Sequence, residues 1–423
     1  MQAHSQHSSR YTPARAQVAG LRDAPRGAPA APLPGPALGI HAKFQATRNH
    51  AGFQPVEASG LDYVTGEIRG LKDAIQNRLE RFALQSVVRQ ILPKSRTANC
   101  LRLRQKNANG VEVYRSIKHR RAHYGGLQTC ASVWNCPVCA AKISERRRQE
   151  LHQLLQAHHE AGGIVLFVTR TAPHSRTDDL GDLLAQLAQA EASYKAHRDY
   201  KSLAKALGVV GTVRTVEVTW GEANGFHPHV HELVFITNSM VLGEVEEDLY
   251  RIWKGAAVRA GFKTPSRAHG LSVQNGDHAA KYVSKWGLES EMTQWHRKRG
   301  KVSSLTPFDL LRWFLKDGSE RAAQLFRIYA ENFHGRHQLQ YSRGLKNLYN
   351  VGEATDEELA ATQDEDAALL GCLSVEQWRV VVGHGQRGAL LEVASLRGWE
   401  GVEDMLAGLL RHTPPPDTPE ALE

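Results

Sequence analysis

The sequence predicts an α+β fold in which helices flank a central antiparallel β-sheet. Two alternating stretches, 209–220 and 225–235, are separated by the turn "GEANG", and this arrangement is typical of a β-hairpin. Amphipathic segments at 178–197 and 243–262 repeat apolar residues with the helical period. A buried strand at 163–174 precedes the first of these helices. The resulting order β-α-β-β-α favours an antiparallel sheet with helices on one side.

The N-terminal part of the chain is less regular. Residues 1–50 are rich in Ala, Pro, Gly and Arg, as in "APRGAPAAPLPGPALG", and show no apolar period. We expect this segment to be disordered, because it cannot bury enough apolar surface to offset the entropy of ordering. A helix is predicted over 71–92. Within 98–130, alternation around "NANG" predicts a hairpin.

The remaining predicted elements are helical. The segment "KISERRRQELHQLLQAHHEAGG" is a basic amphipathic helix that ends at Gly162 and Gly163. Residues 277–287, "DHAAKYVSKWG", predict a short helix. After Thr355 the chain is acidic, and we expect it to be helical.

Charge is distributed unevenly along the chain. Residues 351–423 contain 4 Lys and Arg against 15 Asp and Glu, whereas residues 1–350 contain 49 basic and 29 acidic residues. A chain part this basic is typical of proteins that bind a polyanion, and nucleic acid is the commonest one. No apolar run approaches the length that spans a membrane, and the start "MQAHSQHSSRYTPARAQ" lacks a secretory signal. We therefore expect a cytoplasmic protein with no membrane partner.

Three histidines alternate along the second strand of the predicted hairpin. His227, His229 and His231 project from one face, because side chains in a strand repeat every two residues. Two imidazoles need a further ligand to fix an ion, and Glu217 on the paired strand can reach the same face. Two histidines and a carboxylate leave positions open and suit Mg²⁺ or Mn²⁺ acting on a phosphate. His227 is the weaker ligand candidate.

The segment "AAKYVSKW" supplies a candidate nucleophile. Helical spacing puts Tyr282 and Lys285 one turn apart on one face. A phenol has a pKa of about 10 and is a poor nucleophile by itself. A neighbouring cation and a metal-polarised phosphate would activate it.

Cysteines predict a second metal site. The knuckle "CASVWNCPVC" contains three of them, and its CPxC turn directs two thiolates at one ion. Zn²⁺ takes four ligands, so either Cys100 or His123 completes the set. We favour Cys100, because a hairpin between 101 and 129 returns the chain to it. The predicted zinc ligands are therefore Cys100, Cys130, Cys136 and Cys139. Cys372 is isolated and is expected to be an ordinary buried thiol.

Basic side chains near the knuckle are candidates for DNA contact. A zinc-braced turn that leads into an arginine-rich helix is suited to gripping DNA, although a solvated helix face is the competing interpretation. His174 is expected to shape the turn after the strand 163–174. The candidate DNA-binding residues are Arg146, Arg147, Arg148, Arg336, Arg343 and Lys346.

Three segments together resemble a known family. "FVTRTAPH", "GFHPHVHELVF" and "AAKYVSKW", in this order and at these separations, resemble the three motifs of HUH endonucleases. The similarity is closest to the rolling-circle replication initiators (Rep proteins) of small plasmids. It extends to "LQTCASVWNCPVCAAKI" and "FHGRHQLQYSRGLKNL", so that it covers residues 95–350.

The resemblance implies an HUH nuclease domain in a bacterial protein that nicks and rejoins plasmid origin DNA, single-stranded or in a cruciform at the nick site. It implies that His229 and His231 hold a divalent cation at the scissile phosphate. Tyr282 would attack, release a 3′-OH primer and stay joined to the 5′ end until religation. Lys285 would neutralise charge or help to position the metal. A host helicase and polymerase are the further partners to expect.

One position departs from the family. Some members carry a glutamate one turn before the tyrosine, which activates water to end the cycle, whereas this chain has His278 there, next to Asp277. That role therefore stays open. A single-tyrosine HUH transposase and a non-catalytic, zinc-stabilised DNA-binding regulator are the alternative functions, and the presence of His229, His231 and Tyr282 argues against the regulator.

These predictions divide the chain into four parts. The disordered segment is 1–50, and the DNA-binding region with the zinc knuckle and basic helix is 51–160. The HUH nicking domain is 161–350, and the acidic helical region is 351–423.

Overall fold

The structure is a computed structural model that describes residues 67–276, 304–361 and 366–411, with side chains from residue 75 onward. Helices and strands are numbered in chain order within these ranges. The predicted disordered segment 1–50 and the predicted helix 277–287 lie outside the described residues.

The central sheet has five antiparallel strands in the order β6-β3-β5-β4-β7. This arrangement confirms the predicted α+β class with a central antiparallel sheet. The strands are β3 (Ile164–Thr171), β4 (Val209–Gly221), β5 (Gly225–Ile236), β6 (Leu271–Asn275) and β7 (Gln340–Tyr341).

The β4–β5 hairpin forms as the sequence predicts. Gly221 pairs with Gly225, so that residues 222–224 form the loop. Gly225 has φ 76°, and a Cβ atom there would lie 2.9 Å from the backbone oxygen of Arg176. Only glycine adopts this left-handed conformation at little cost, and such a residue at the end of a three-residue loop is common in hairpins. The resulting register places Glu217 directly opposite His229.

Helices cover both faces of this sheet. Helices α4 (Leu180–Ala196) and α6 (Leu242–Arg259) share a core with the β3 and β5 side chains of one face. On the other face, helix α3 (Pro137–Glu160) contributes Leu151, Leu154 and Leu155 to a core with the alternate β3 and β5 side chains. The two described helices of the predicted β-α-β-β-α unit, α4 and α6, therefore lie on one side as expected. Helix α3, which precedes that unit in the chain, covers the other side. The leucines of α3 repeat at helical spacing and form a second apolar stripe.

A buried ion network joins strand β3 to helix α4. The Arg170 guanidinium is fully buried, and it binds Glu191 at 2.6 Å and Glu232 at 2.8 Å. Lys195 also binds Glu232. Burial by itself would raise the pKa of Glu232, but Arg170 and Lys195 lower it to about 2. Each buried charge in this network therefore has an opposite charge in contact with it.

A smaller sheet has the order β2-β1-β8, and its strands are β1 (Val111–Ser116), β2 (Ala122–Gly125) and β8 (Ala367–Leu373). The predicted hairpin around "NANG" was wrong. The residues after this turn pair with β2 and β8, and the hairpin loop is 117–121. The residues before the turn, including Leu101, bond to 126–128 instead. Both edges of β1 are occupied, which leaves no edge for residues 101–105.

Helices complete the fold around the two sheets. Those after Thr355 confirm that the acidic part is helical, but this part also contains β8, which was not predicted. No described helix is long and apolar enough to cross a membrane. The remaining helices are α1 (Glu67–Ile91), α2 (Arg96–Asn99), α5 (Arg198–Ala206), α7 (Pro307–Asp317), α8 (Glu320–Phe333), α9 (Leu345–Leu348), α10 (Asp356–Ala361), α11 (Val375–Gly383) and α12 (Arg387–Arg411).

Candidate metal centres

The first candidate centre is formed by Glu217, His229 and His231, which sequence analysis had grouped. Strand β4 supplies the carboxylate and strand β5 supplies both imidazoles. One possible ligand atom from each residue lies within 4.8 Å of the others. The Glu217 Oε2 atom is 3.7 Å from His229 Nε2 and 3.8 Å from His231 Nε2. The three groups therefore converge on one point.

Hydrogen bonds at the other ring nitrogens orient the two histidines. His231 Nδ1 lies 3.0 Å from Thr169 Oγ1 on strand β3, and His229 Nδ1 lies 3.3 Å from the carbonyl oxygen of His227. When Nδ1 donates its proton to these oxygens, the Nε2 lone pair of each ring faces Glu217. That is the tautomer that binds a cation, and such outer contacts commonly fix it.

His227 lies beside the triad and not in it. Its Nδ1 atom is 3.2 Å from Nδ1 of His174, which follows strand β3. Burial, and then the charges of His229 and His174, lower the pKa of His227 to about 3. The ring is therefore neutral at physiological pH. The contact with His174 is consistent with the expectation that His227 is the weaker ligand candidate.

The triad has an apolar and aromatic surround that sequence analysis missed. Phe167 stacks on His231 with ring centroids 5.1 Å apart. Tyr329 of helix α8 is fully buried and donates to the Trp134 carbonyl at 3.4 Å. Burial, and then the charge of Glu217, raise the pKa of Tyr329 well above its usual value. The sequence could have indicated Thr169, because it lies two residues after Phe167, on the same face of the strand that pairs with β5.

The second candidate centre brings together the four predicted cysteines, all buried. Their sulfur atoms lie 3.5 Å apart for Cys100 and Cys139, 3.7 Å for Cys130 and Cys139, and 3.8 Å for Cys136 and Cys100. A tetrahedral site with Zn–S bonds of about 2.3 Å has its sulfurs about 3.8 Å apart. The distances thus fit four thiolates around one zinc ion. All four are free cysteines, and none is bonded in a disulfide.

Polar groups surround these sulfurs. Gln85 Nε2 of helix α1 donates to Cys136 Sγ at 3.2 Å, and Thr97 Oγ1 donates to Cys130 Sγ at 3.5 Å. The Cys136 sulfur also accepts the Cys139 backbone N–H at the start of helix α3. Donors of this kind stabilise thiolate charge. The cluster therefore fixes the beginning of the helix that packs against the triad-bearing face of the sheet.

Ionisation of the cluster is uneven. Hydrogen bonds from the Cys100, Cys136 and Cys139 thiols lower the pKa of Cys130, whereas burial raises the pKa of Cys136. One thiolate is thus stabilised by its neighbours, and further thiolates are disfavoured in this buried space. A bound cation reverses that balance, because metal coordination deprotonates a thiol.

Two other expectations concern residues outside the cluster. His123, the alternative fourth ligand, stacks on Tyr114 in the small sheet, with centroids 5.6 Å apart. It is absent from the cysteine group. Cys372 is exposed on strand β8, so that its expected burial was wrong. Its strand lies at an edge of the small sheet.

The candidate DNA-binding residues fall into two groups. Arg147 is half-buried and binds Glu150 at 2.9 Å and Asp356 at 2.8 Å, and Arg148 binds Glu145 at 2.7 Å. Lys346 is buried and binds Glu150 at 3.1 Å. Ion pairs within the fold thus compensate the charges of Arg147 and Lys346. Arg146 is half-buried.

Arg336 and Arg343 form the second group and are exposed. Both line a cavity of about 1300 Å³, together with the exposed Lys94 and Arg96 and the ion-paired Arg147 and Lys346. Acidic residues of 353–358 also contribute to its lining. The triad residues do not line this cavity. The candidate nucleophile Tyr282, with Lys285, Asp277 and His278, lies outside the described residues.

Comparison with known proteins gives concordant matches. A family model described as "Replication protein" matches residues 125–384, which is more than half of the chain. That range contains the triad and three of the four clustered cysteines, but not Cys100. No solved structure matches.

Three curated relatives share parts of the sequence. "Protein rep" of Streptomyces lividans is 24% identical over 359 aligned residues, covering 67% of this chain and 78% of that protein. "Protein rep" of Lentilactobacillus hilgardii is 30% identical over 175 residues, covering 39% of this chain and 52% of that protein. "Neomycin resistance protein" of Streptomyces cyanogenus is 30% identical over 135 residues, covering 26% of this chain and 31% of that protein.

Proposed function

Because this chain belongs to the plasmid Rep family of replication proteins, we propose that it starts rolling-circle replication by nicking one strand of its plasmid origin. The observation that carries this proposal is the convergence of Glu217, His229 and His231 on one point. In a protein of this family, two histidines and a carboxylate are suited to bind a divalent cation that acts on a DNA phosphate.

The triad would hold Mg²⁺ or Mn²⁺. When bound, such a cation withdraws charge from the phosphate oxygens and so favours attack on phosphorus. The chain supplies the rest of this chemistry. Glu217 provides negative charge, and the contacts of His229 with the His227 carbonyl and of His231 with Thr169 keep both Nε2 atoms facing it.

Tyr282 is the proposed nucleophile, on the strength of its motif and its order after the histidine strand. Its phenolic oxygen would form a bond to phosphorus while the bond from phosphorus to the 3′ oxygen breaks. The phenol proton passes to a base, and the departing oxygen takes up a proton to become the 3′-OH primer. Lys285 would offset the negative charge that develops nearby. The ester conserves the bond energy, so that the reverse attack religates the strand without ATP.

The cysteine cluster would hold a structural Zn²⁺. The sulfur separations and the four-cysteine composition support this assignment. The cluster joins residues near 100, the knuckle at 130–139 and the first turn of helix α3. It would therefore brace the region next to the nicking domain, and metal removal should destabilise residues 100–150.

The exposed cations of the large cavity would contact the DNA backbone. Lys94, Arg96, Arg336 and Arg343 lie on its lining. Phosphate contacts of this type position DNA without reading its sequence. Arg146 and Arg148 stay secondary candidates on helix α3.

A covalent-adduct assay tests the proposal. Purified protein is incubated with a labelled single-stranded origin oligonucleotide and Mn²⁺, and the products are separated on a denaturing protein gel. We expect labelled DNA at the size of the protein, and its loss in Tyr282→Phe. Tyr114→Phe is the matched control, because the Tyr114 hydroxyl contacts Glu112 in the small sheet.

Two outcomes would contradict parts of the proposal. An adduct that persists in Tyr282→Phe would assign the nucleophile to another tyrosine. Binding of several candidate origins without any cleavage would instead favour a non-catalytic DNA-binding regulator.

A further inference from the structure

Arg387 is a buried cation beside the cysteine cluster. It begins helix α12 and is 1% exposed. Its Nη1 atom donates to Gln85 Oε1 at 2.7 Å, to the Leu101 carbonyl at 2.9 Å and to the Cys100 carbonyl at 3.3 Å. All three acceptors are neutral. The contacts satisfy hydrogen bonds but do not balance the charge.

Within residues 75–276, 304–361 and 366–411, no carboxylate forms an ion pair with Arg387. Its Nε atom is buried and has no hydrogen-bond partner there. Arg102 adds a second positive charge nearby, and its own Nε is likewise buried without a partner. The guanidinium also lies over the Phe82 ring, 5.2 Å from its centroid, but that ring carries no net negative charge. An uncompensated buried charge is costly, and buried charges in proteins are usually paired with an opposite charge.

A metal-bound cysteine cluster would supply the negative charge that the surroundings of Arg387 lack. Gln85 accepts from Arg387 and donates to Cys136 Sγ at 3.2 Å, so that one amide side chain bridges the guanidinium and a sulfur. Four thiolates around a divalent zinc ion carry a net charge of −2. Arg387 and Arg102 carry the opposite charge.

We infer that Arg387 is the counter-cation of a metal tetrathiolate, and that it couples metal binding at the cysteine cluster to the docking of helix α12. Helix α12 packs through Leu390, Leu391 and Ala394 into the core of the small sheet. With metal bound, the thiolate charge stabilises Arg387 at the start of this helix. Without metal, the guanidinium lacks the counter-charge of the metal tetrathiolate. This inference rests on the proposed zinc at the cluster and is independent of strand cleavage.

The first test measures zinc content and the rate of zinc transfer to a colorimetric chelator, with the full chain. Arg387→Gln should release zinc about 10-fold faster than the unchanged protein, as expected for a contact outside the ligand shell. Arg387→Lys, which keeps the charge, should lie between the two. The matched control is Arg397→Gln on the same helix, because Arg397 is exposed and binds Asp404. It should release zinc at the unchanged rate.

The second test needs no variant. Hydrogen exchange is followed by mass spectrometry before and after chelation of the unchanged protein. We expect the amides of 387–397 to exchange about 10-fold faster after zinc removal, with helix α6 unaffected in its separate core. Zinc-containing protein in which Arg387→Gln and Arg397→Gln release zinc equally fast would overturn the inference alone. Protein purified without zinc would overturn the proposed zinc site and this inference with it.

Discussion

Thr169 decides which nitrogen of His231 faces Glu217. Its hydroxyl lies 3.0 Å from Nδ1, and no change of backbone is needed for it to accept the ring proton. A divalent cation binds only the unprotonated nitrogen. At the proposed metal site, Thr169 would therefore act through His231, as a positioning residue.

Replacement of Thr169 with valine removes this hydroxyl at nearly constant shape. We expect affinity for Mn²⁺ to fall about 10- to 100-fold, with the fold preserved, because outer contacts contribute this much at metal sites. Isothermal titration with Mn²⁺ measures the change. Thr171→Val is the control on the same strand, since the Thr171 hydroxyl donates to the His269 carbonyl instead. Equal affinities for the two variants would argue against the positioning role.

The triad residues themselves predict a larger effect. His229→Ala or His231→Ala should abolish metal-dependent nicking while binding of origin DNA persists, because each removes a proposed ligand. His227→Ala should retain nicking, since that ring lies beside His174 and outside the triad. The adduct assay with Mn²⁺ distinguishes these outcomes. Unchanged nicking in His229→Ala would remove that residue from the metal site.

The buried ion network predicts a stability effect at a residue with no proposed chemistry. Arg170→Met leaves Glu191 and Glu232 buried against a neutral side chain. We expect a loss of about 3–5 kcal/mol in the free energy of unfolding, as when one partner of a buried pair is removed. Denaturant titration measures it. Arg251→Met is the control, because Arg251 is exposed and its ion pair with Asp199 lies at the surface. If Arg170→Met lowers the free energy of unfolding no more than the control does, the remaining charges of the network rearrange at little cost.

At the scale of elements, the β4–β5 hairpin carries the triad, and its loop sets the register. Gly225→Ala should lower the free energy of unfolding by about 1–2 kcal/mol, because a side chain is strained at positive φ. It should also weaken Mn²⁺ binding, because Glu217 and His229 are held opposite each other by this register. Gly243→Ala at the start of helix α6 is the control, since a Cβ atom there meets no atom within 4 Å. If the free energy of unfolding and the affinity for Mn²⁺ are both unchanged in Gly225→Ala, the loop does not position the triad.

Local patterns made some elements predictable and left others hidden. The β4–β5 hairpin was evident because its alternation, turn and histidines lie within a few residues of one another. Cys100 was placed in the cysteine cluster because the chain between 101 and 129 returns to it, and this return occurs although the register around "NANG" differs. Strand β8 was not predicted, because its partner β1 lies about 250 residues earlier in the chain. Arg387 likewise had no local signal, since only tertiary contact brings it to the cysteines.

At the scale of the whole molecule, the basic excess of residues 1–350 predicts salt-dependent DNA binding. Arg336→Gln or Arg343→Gln should each reduce the slope of log affinity against log salt by about 0.9 for duplex DNA, which is one lost phosphate contact. Fluorescence anisotropy at several salt concentrations measures the slope. Arg397→Gln in the acidic part is the control and should leave the slope unchanged. Identical slopes for all three variants would mean that Arg336 and Arg343 of the cavity lining do not contact DNA phosphates.

The pairing of β1 with β8 also has a consequence for biosynthesis. Strand β1 leaves the ribosome about 250 residues before strand β8, which covers its second edge and is encoded at 367–373. Until then, nascent chains expose an unpaired strand edge, and neighbouring chains on one messenger can pair through such edges. Translation that stops before β8 would leave the five-stranded sheet complete but the small sheet without its third strand. The small sheet would thus be complete only in chains that have been translated past residue 373.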